Sequence, residues 1–231
     1  MKKIIRIIAL VLAAMFVLCS CSNTTLTTSS ASDTTAPAGN VSDDNIPFED
    51  DAPEAEDTEA STKEHSQVKF TMANGGSFVV ELYPEYAPKT VENFVSLVSE
   101  GFYDGLTFHR VVEDFMAQGG DPEGTGMGGS DKNIKGEFIN NGFTQNTLSH
   151  TRGVISMARS SNPNSASSQF FICYGDATFL DGDYAAFGMV TEGMEVVDSF
   201  LEIERTIGND GALSSPVEPI VIEKAEVIQG A

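Results

Sequence analysis

The sequence contains no tryptophan, and only three of its 231 residues are cysteine. Cys19 and Cys21 lie near the N-terminus, within a segment typical of an export signal, so Cys173 is the cysteine left for a folded domain. A lone thiol cannot form an internal disulfide, and the domain must therefore be held together by core packing. The flanking residues, Phe171-Ile172-Cys173-Tyr174, predict a buried strand thiol rather than a catalytic nucleophile.

Basic residues are also scarce. Lysine and arginine number 13 against 34 aspartate and glutamate residues, which gives a formal charge of −21. A surface of this sign repels nucleic acid and anionic lipid headgroups, so we expect no nucleic-acid partner. Between Ser22 and His65 there are eleven acidic residues and one basic residue, Lys63, so this short stretch alone carries −10 of the total charge. We interpret the acidity as solvated surface.

No apolar run is long enough to cross a bilayer comfortably as a helix, which takes about 20 residues. The longest run, Ile7 to Leu18, follows a basic start at Lys2, Lys3 and Arg6 and is typical of a secretory signal. Leu18-Cys19-Ser20-Cys21 resembles the lipobox of bacterial lipoproteins, which implies that Cys21 is lipidated. Cleavage by an ordinary signal peptidase without lipid is the alternative.

The chain thus divides into three predicted segments. Residues 1–21 form a lipoprotein signal peptide, residues 22–66 a Ser/Thr-rich and then acidic tether, and residues 67–231 a folded domain. The tether has no helical or strand period, and its like charges repel one another, so we expect it to be disordered. Its acidic residues lack the regular spacing of a calcium site. We expect the protein at the outer face of the bacterial cell membrane, attached through its lipid only.

The folded domain is predicted to be mainly β. Asn74-Gly75-Gly76 separates two apolar runs as in a hairpin, and Pro88 and Gly101 suit the start and the exit of an amphipathic helix. A second short helix fits Gly193 to Leu201. The many short strands indicate an antiparallel barrel or a sandwich, which periodicity cannot distinguish. The predicted strands are Val68–Met72, Ser77–Leu82, Thr107–Val112, Phe115–Gln118, Val154–Ala158, Gln169–Tyr174, Ala185–Val190 and Ile220–Val227.

One long block carries a family resemblance. Residues 108–121, with the sequence FHRVVEDFMAQGGD, resemble the signature of the cyclophilins, the cyclosporin-binding class of peptidyl-prolyl cis/trans isomerases. The resemblance covers residue 67 to the C-terminus and implies a closed eight-stranded antiparallel β-barrel capped by two α-helices, with a substrate groove on its outer face. Further blocks of the family follow in order, namely Gly124-Thr125-Gly126, Ser156-Met157-Ala158, Ser168-Gln169-Phe170-Phe171-Ile172, Phe179-Leu180-Asp181-Gly182 and Phe187-Gly188-Met189-Val190.

The resemblance also implies the site. Three residues differ from the best-known eukaryotic pattern: Arg159 replaces an asparagine, Phe179 a tryptophan and Tyr184 a histidine. Contact at position 159 is expected mainly through the backbone, so that change should be tolerated. The missing indole predicts weak or no binding of cyclosporin without loss of catalysis. The catalytic residues implied are Arg110, Phe115 and Gln118, and the substrate-binding residues are Met116, Ala158, Arg159, Gln169, Phe171, Phe179, Leu180 and Tyr184.

These residue types suit rotation about an X-Pro bond. No covalent bond is made or cut, so the reaction calls for no nucleophile, metal or cofactor, only a site that binds the twisted amide best. Arg110 is permanently charged and can donate to the proline nitrogen when twisting exposes its lone pair. Gln118 can either orient Arg110 or hold a substrate carbonyl. His109 neighbours Arg110 on a strand and should face the opposite way, and no serine follows a hydrolase pattern.

The sequence therefore predicts a monomeric isomerase, or rotamase, that acts as an extracytoplasmic foldase on proline-containing polypeptides. The alternative is a proline-peptide-binding chaperone module with little turnover. The intact set of Arg110, Phe115 and Gln118 favours the enzyme.

Overall fold

The computed structural model describes residues 65–228. The predicted signal peptide, its lipidation site at Cys21 and almost all of the predicted tether lie outside these residues. Within the described part of the chain, no helix is both long enough and apolar enough to span a bilayer.

The described residues form ten strands and two α-helices, joined by turns and three short 3-10 segments. In chain order they are β1 (Gln67–Met72), β2 (Ser77–Leu82), α1 (Pro88–Ser99), β3 (Thr107–Val112), β4 (Met116–Asp121), β5 (Val154–Met157), β6 (Phe170–Cys173), β7 (Ala186–Glu192), α2 (Met194–Asp198), β8 (Arg205–Ile207), β9 (Leu213–Pro216) and β10 (Ile220–Ile228).

Eight of the strands close into a barrel in the order β1-β10-β3-β4-β6-β5-β7-β2. Each neighbouring pair is antiparallel. The predicted closed eight-stranded antiparallel barrel is therefore confirmed, and the sandwich that periodicity left open is excluded. The strands β8 and β9 pair only with each other and form a small separate hairpin.

Phenylalanine side chains fill the barrel interior. Along β1 the residues alternate between partly exposed and buried, so Phe70 points inward. Its ring stacks on that of Phe78 from β2, with ring centroids 4.8 Å apart. Phe94 on the apolar face of α1 meets Phe170 from β6 edge to face at 5.6 Å, which packs the helix against the barrel core.

The helix α1 begins at Pro88, as the sequence predicts, but its N-cap residue Ala87 has no side chain able to cap it. The buried carboxylate of Glu137 takes that role instead, because it accepts hydrogen bonds from the backbone N–H groups of Lys89 and Thr90, at 3.0 and 2.8 Å. After the helix ends, Gly101 adopts a left-handed conformation with φ of 70°, so the predicted glycine exit is confirmed.

Several predicted strand and helix boundaries were wrong by one to three residues, and two of these differences have a clear backbone cause. The strand predicted to begin at Phe115 begins at Met116, since Asp114 has φ of 59° and the turn between β3 and β4 runs through Phe115. The second helix does not reach Leu201 as an α-helix. Gly193 stands before it in a left-handed conformation, α2 ends at Asp198, and the chain continues as a 3-10 segment over Ser199–Glu202.

Candidate active site

The candidate site lies on the outer face of the barrel, where β3, β4 and β6 run side by side. Alternation along β4 sends Ala117 into the barrel core and turns Met116 and Gln118 the other way. In β6, Phe171 likewise points outward, into a second cluster of buried side chains that includes Met116 and Leu180. The barrel thus fixes the spacing of the outward side chains.

These side chains enclose a cavity of about 150 Å³. Nine of the eleven residues assigned to the site from sequence line it, namely Arg110, Phe115, Met116, Gln118, Ala158, Arg159, Phe171, Leu180 and Tyr184. Of the other two, Gln169 is hydrogen-bonded to Gln118 at 2.8 Å, and Phe179 packs against Phe115 with ring centroids 5.6 Å apart. The structure therefore brings all the assigned side chains to one place.

The cavity is apolar on one side. Met116 is 1% exposed and Phe171 5% exposed, so both present a fixed hydrophobic surface, and Tyr184 meets Phe171 edge to face at 6.0 Å. Phe179, by contrast, is 72% exposed at the rim. A small ring such as that of proline fits a slot of this kind, with the open rim left for the residues that flank it.

The other side of the cavity is a chain of hydrogen bonds that begins at Arg110. Its Nη1 donates to Oε1 of Gln118 at 3.3 Å, Gln118 Nε2 donates to Oε1 of Gln169 at 2.8 Å, and Gln169 Nε2 donates to the carbonyl of Gly128 at 2.7 Å. Of the two roles that the sequence left open for Gln118, the structure therefore displays the orientation of Arg110. The guanidinium also lies 5.9 Å from the ring centroid of Phe115.

Sequence reasoning missed the shortest hydrogen bond that Arg110 makes among the described residues. Arg110 Nε donates to Oδ2 of Asp210 at 2.6 Å. Burial alone would raise the pKa of Asp210, but hydrogen bonds from Arg110, Ser214 and the Ala212 N–H outweigh it and lower that pKa to about 2. Asp210 is therefore ionised at neutral pH. The signal for this turn was the Asn209-Asp210-Gly211 triplet, which is typical of a hairpin loop.

Arg159 builds the far wall of the cavity with its side chain. Its guanidinium carbon lies 4.6 Å from the ring centroid of Tyr184 and 5.1 Å from that of Phe138. Its Nε donates to the carbonyl of Asp183 at 2.9 Å. The sequence predicted a mainly backbone contact with substrate at this position, and the structure adds a stacked, hydrogen-bonded side chain.

A serine, a histidine and an aspartate do meet near the cavity, although the sequence offered no hydrolase pattern. His150 Nδ1 lies 2.8 Å from Oδ1 of Asp181, and its Nε2 lies 3.0 Å from Oγ of Ser156. Both Ser156 and His150 are fully buried, so no substrate carbonyl can reach the hydroxyl. The three side chains instead tie β5 to the segment that carries Leu180, which makes the arrangement structural.

The domain cysteine is equally unsuited to chemistry. Cys173 is fully buried on β6, which confirms the predicted strand thiol, and burial raises its pKa to about 12.

His109 was expected to face away from Arg110, but the alternation of side chains along β3 is interrupted by a bulge between Phe108 and Arg110. Its ring is largely buried, which lowers its pKa. Within residues 65–228 no three histidine, cysteine or acidic side chains are grouped as metal ligands.

Comparison with known proteins agrees with this geometry. The sequence profile of the family described as cyclophilin type peptidyl-prolyl cis-trans isomerase/CLD matches residues 67–227. The chain is 44% identical over 151 residues to the peptidyl-prolyl cis-trans isomerase ppi1 of Schizosaccharomyces pombe, which covers 65% of this chain and 92% of the relative. It is 46% identical over 127 residues to a peptidyl-prolyl cis-trans isomerase of Helicobacter pylori, which covers 54% of this chain and 74% of that protein.

Comparison with solved structures supports the same family assignment. A cyclophilin type peptidyl-prolyl cis-trans isomerase of Cryptosporidium parvum superposes with a TM-score of 0.63 at 28% identity, covering 72% of this chain and 99% of that one. A second structure of that protein, solved in the presence of the dipeptide Ala-Pro, superposes with a TM-score of 0.62 at 30% identity, covering 71% and 99%. The barrel, the cavity on its outer face and the profile match over most of the chain show that the protein belongs to the cyclophilin family of peptidyl-prolyl cis-trans isomerases.

Proposed function

We propose that this isomerase accelerates X-Pro rotation in proteins exported from the cytoplasm, that Arg110 is its principal catalytic residue, and that lipid on Cys21 holds it at the outer face of the cell membrane. The observation that carries the catalytic part is that Arg110 lines a cavity of about 150 Å³ together with an apolar wall. The cellular part is supported by the sequence of the first 21 residues.

The reaction is slow because amide resonance must be broken, at a cost of about 18–20 kcal/mol. As the X-Pro bond twists, the proline nitrogen becomes pyramidal and its lone pair turns into a hydrogen-bond acceptor. A donor that meets this nitrogen therefore binds the twisted state better than either planar isomer, which is the condition for lowering the barrier.

Arg110 has the means to be that donor. Its Nε is occupied by Asp210 and its Nη1 by Gln118, whereas Nη2 has no acceptor among residues 65–228. A proline ring seated against Met116 and Phe171 would lie in the cavity that Arg110 also lines. Since guanidinium stays protonated at every relevant pH, the donor needs no pKa adjustment.

The test is a peptide isomerisation assay on the full-length protein. Arg110→Ala removes one oriented donor, and we expect kcat/KM to fall on the order of 100- to 1,000-fold. The matched control is Arg152→Ala, because Arg152 also pairs with an aspartate, Asp198 at 2.7 Å, but lies outside the cavity. Activity of Arg110→Ala within about threefold of the control would remove Arg110 from the mechanism.

The lipid anchor is tested separately by cell fractionation. Cys21→Ser should release the protein from the membrane, because about 0.8 kcal/mol of attachment is lost for each acyl methylene that no longer inserts. Retention of a processed Cys21→Ser protein in the membrane fraction would contradict lipidation at this residue. The isomerase activity itself should be unchanged, since Cys21 lies outside the folded domain.

The second candidate is a proline-peptide-binding module with little turnover, for which the exposed aromatic rim at Phe179 is the favourable observation. Binding and catalysis separate in two variants. Ala158→Leu fills the cavity and should abolish both, whereas Arg110→Ala should abolish turnover while the apolar wall still binds peptide. A cell phenotype that needs the open cavity but tolerates Arg110→Ala would favour the binding module.

A further inference from the structure

The hairpin formed by β8 and β9 lies outside the closed barrel, and its turn reaches the candidate site. Asp210 in that turn lies 100 residues after Arg110 in the sequence, yet its Oδ2 accepts the arginine Nε at 2.6 Å. The strand β9 lies beside β3, which carries Arg110. A surface hairpin therefore supplies the shortest hydrogen bond that the arginine makes among the described residues.

The carboxylate of Asp210 is held by its own hairpin. Oδ1 accepts the Ala212 N–H at 3.0 Å and the Ser214 hydroxyl at 2.7 Å. Ser214 is 2% exposed, so this brace is fixed within the packed side of the hairpin. With Oδ1 occupied twice, Oδ2 is presented to the arginine in one orientation. The acceptor is thus in place independently of the arginine that it binds.

The Arg110 guanidinium donates two hydrogen bonds of unequal strength, one to Asp210 and one to Gln118. The contact with Asp210 joins two ionised groups at 2.6 Å, whereas the contact with Gln118 involves a neutral acceptor at 3.3 Å. Hydrogen bonds between ionised partners are roughly twice as strong as neutral ones. An arginine side chain has several rotatable bonds, and their freedom must be restricted before Nη2 can be held toward a bound substrate. Asp210 therefore supplies the shorter and the charged contact of the two.

We propose that Asp210 is a positioning residue for the isomerisation: it holds the Nε edge of Arg110 so that Nη2 remains directed at the proline nitrogen of the bound substrate. This inference rests on the proposed catalytic role of Arg110. Asp210 itself touches no reacting atom, and it acts through the arginine alone.

The first test compares kcat and KM of full-length wild type, Asp210→Ala and Asp210→Asn. Because misplacing a catalytic group by about 1 Å costs on the order of 100-fold, we expect Asp210→Ala to lower kcat/KM on the order of 10- to 100-fold, mainly through kcat. Asp210→Asn keeps an acceptor oxygen without the charge and should recover part of the loss. Asp198→Ala is the matched control, since it removes an aspartate–arginine pair of 2.7 Å outside the cavity and should leave kcat/KM unchanged.

The second test separates positioning from general stabilisation. In an Arg110→Ala background, adding Asp210→Ala should change kcat/KM less than twofold, because a residue that acts through the arginine has nothing left to position. By NMR, the Arg110 Nε–H, which donates to Asp210 in wild type, should exchange with water faster in Asp210→Ala. Ser214→Ala, which loosens the brace without removing the pair, should lower kcat/KM about two- to threefold and serves if Asp210→Ala does not fold.

The outcomes distinguish the two proposals. If Arg110→Ala has little effect, the catalytic role of Arg110 fails, and with it any reason to position that residue. If Arg110→Ala abolishes activity while folded Asp210→Ala and Ser214→Ala both match wild type, only the positioning role is overturned. An increase in kcat/KM for Asp210→Ala would also overturn it, because the aspartate would then restrain Arg110 away from the substrate.

Discussion

Removing the carboxylate that caps α1 should destabilise the domain far more than any exposed charge. Glu137 is 4% exposed and accepts three hydrogen bonds, from the backbone N–H of Lys89 at 3.0 Å and from the N–H and hydroxyl of Thr90 at 2.8 Å each. In Glu137→Ala the helix loses its cap, worth about 1 kcal/mol. The fully buried Thr90 hydroxyl loses its acceptor, at about 1–3 kcal/mol.

We therefore expect Glu137→Ala to lower the free energy of unfolding by about 3 kcal/mol, once the lost attraction between the carboxylate and the helix dipole is included. For a domain of this size, about 2–4 °C of melting temperature correspond to each kcal/mol, so Tm should fall by about 10 °C. Chemical denaturation and calorimetry of the full-length protein measure both quantities.

The matched control is Glu92→Ala on the same helix. Its carboxylate is paired with Lys89 Nζ at 2.6 Å, but the Glu92 side chain is 69% exposed. Surface pairs of this kind contribute about 0–1 kcal/mol, so the variant should stay close to wild type. A Glu137→Ala protein whose unfolding free energy lies within about 0.5 kcal/mol of the Glu92→Ala protein would refute the reasoning that a distant carboxylate caps this helix.

Three further predictions concern other parts of the domain. Burial lowers the pKa of His150 and of His109, which favours their neutral forms in the folded protein. Stability should therefore be full above about pH 6.5 and should fall in thermal melts as the pH drops below it, less steeply in His150→Asn. Cys173 should resist alkylation in the native protein and react only after unfolding, as followed by mass spectrometry of its peptide, since burial raises its thiol pKa to about 12. Phe179→Trp should restore an indole donor and tighten cyclosporin binding about tenfold in calorimetry, and unchanged affinity would contradict the role given to the missing indole.

The barrel could be predicted because its determinants are local or carried by long motifs. Alternation in Val68–Met72 and the apolar face of the helix from Pro88 each follow from the residues themselves. The choice of a closed barrel over a sandwich required the resemblance of residues 108–121 to a family, because short antiparallel strands have the same period in both architectures. Alternation on β4 and β6 then places Met116, Gln118 and Phe171 on the outer face, whereas the other assigned site residues lie on β3, in turns or loops, or in a 3-10 segment.

The features that escaped prediction depend on contacts between distant residues. Glu137 is one of 34 acidic residues, and nothing in its neighbourhood shows that it caps a helix 47 positions earlier. The hairpin of β8 and β9 has strands of three and four residues, too short and too polar for a strand period to be visible. Pairs of this kind become visible only when the closed barrel brings the two segments together.

Arg110 illustrates how the two kinds of information combine. Its identity, its charge and its neighbours within the motif follow from the sequence, and these are enough to indicate what it donates to. In our proposal, the direction in which it donates depends on Asp210, whose carboxylate accepts hydrogen bonds from the Ala212 N–H and the Ser214 hydroxyl. A motif that specifies the donor therefore does not by itself specify the geometry that makes the donor effective. In our proposal, that geometry depends on a hairpin that lies outside the barrel and far from the motif in sequence.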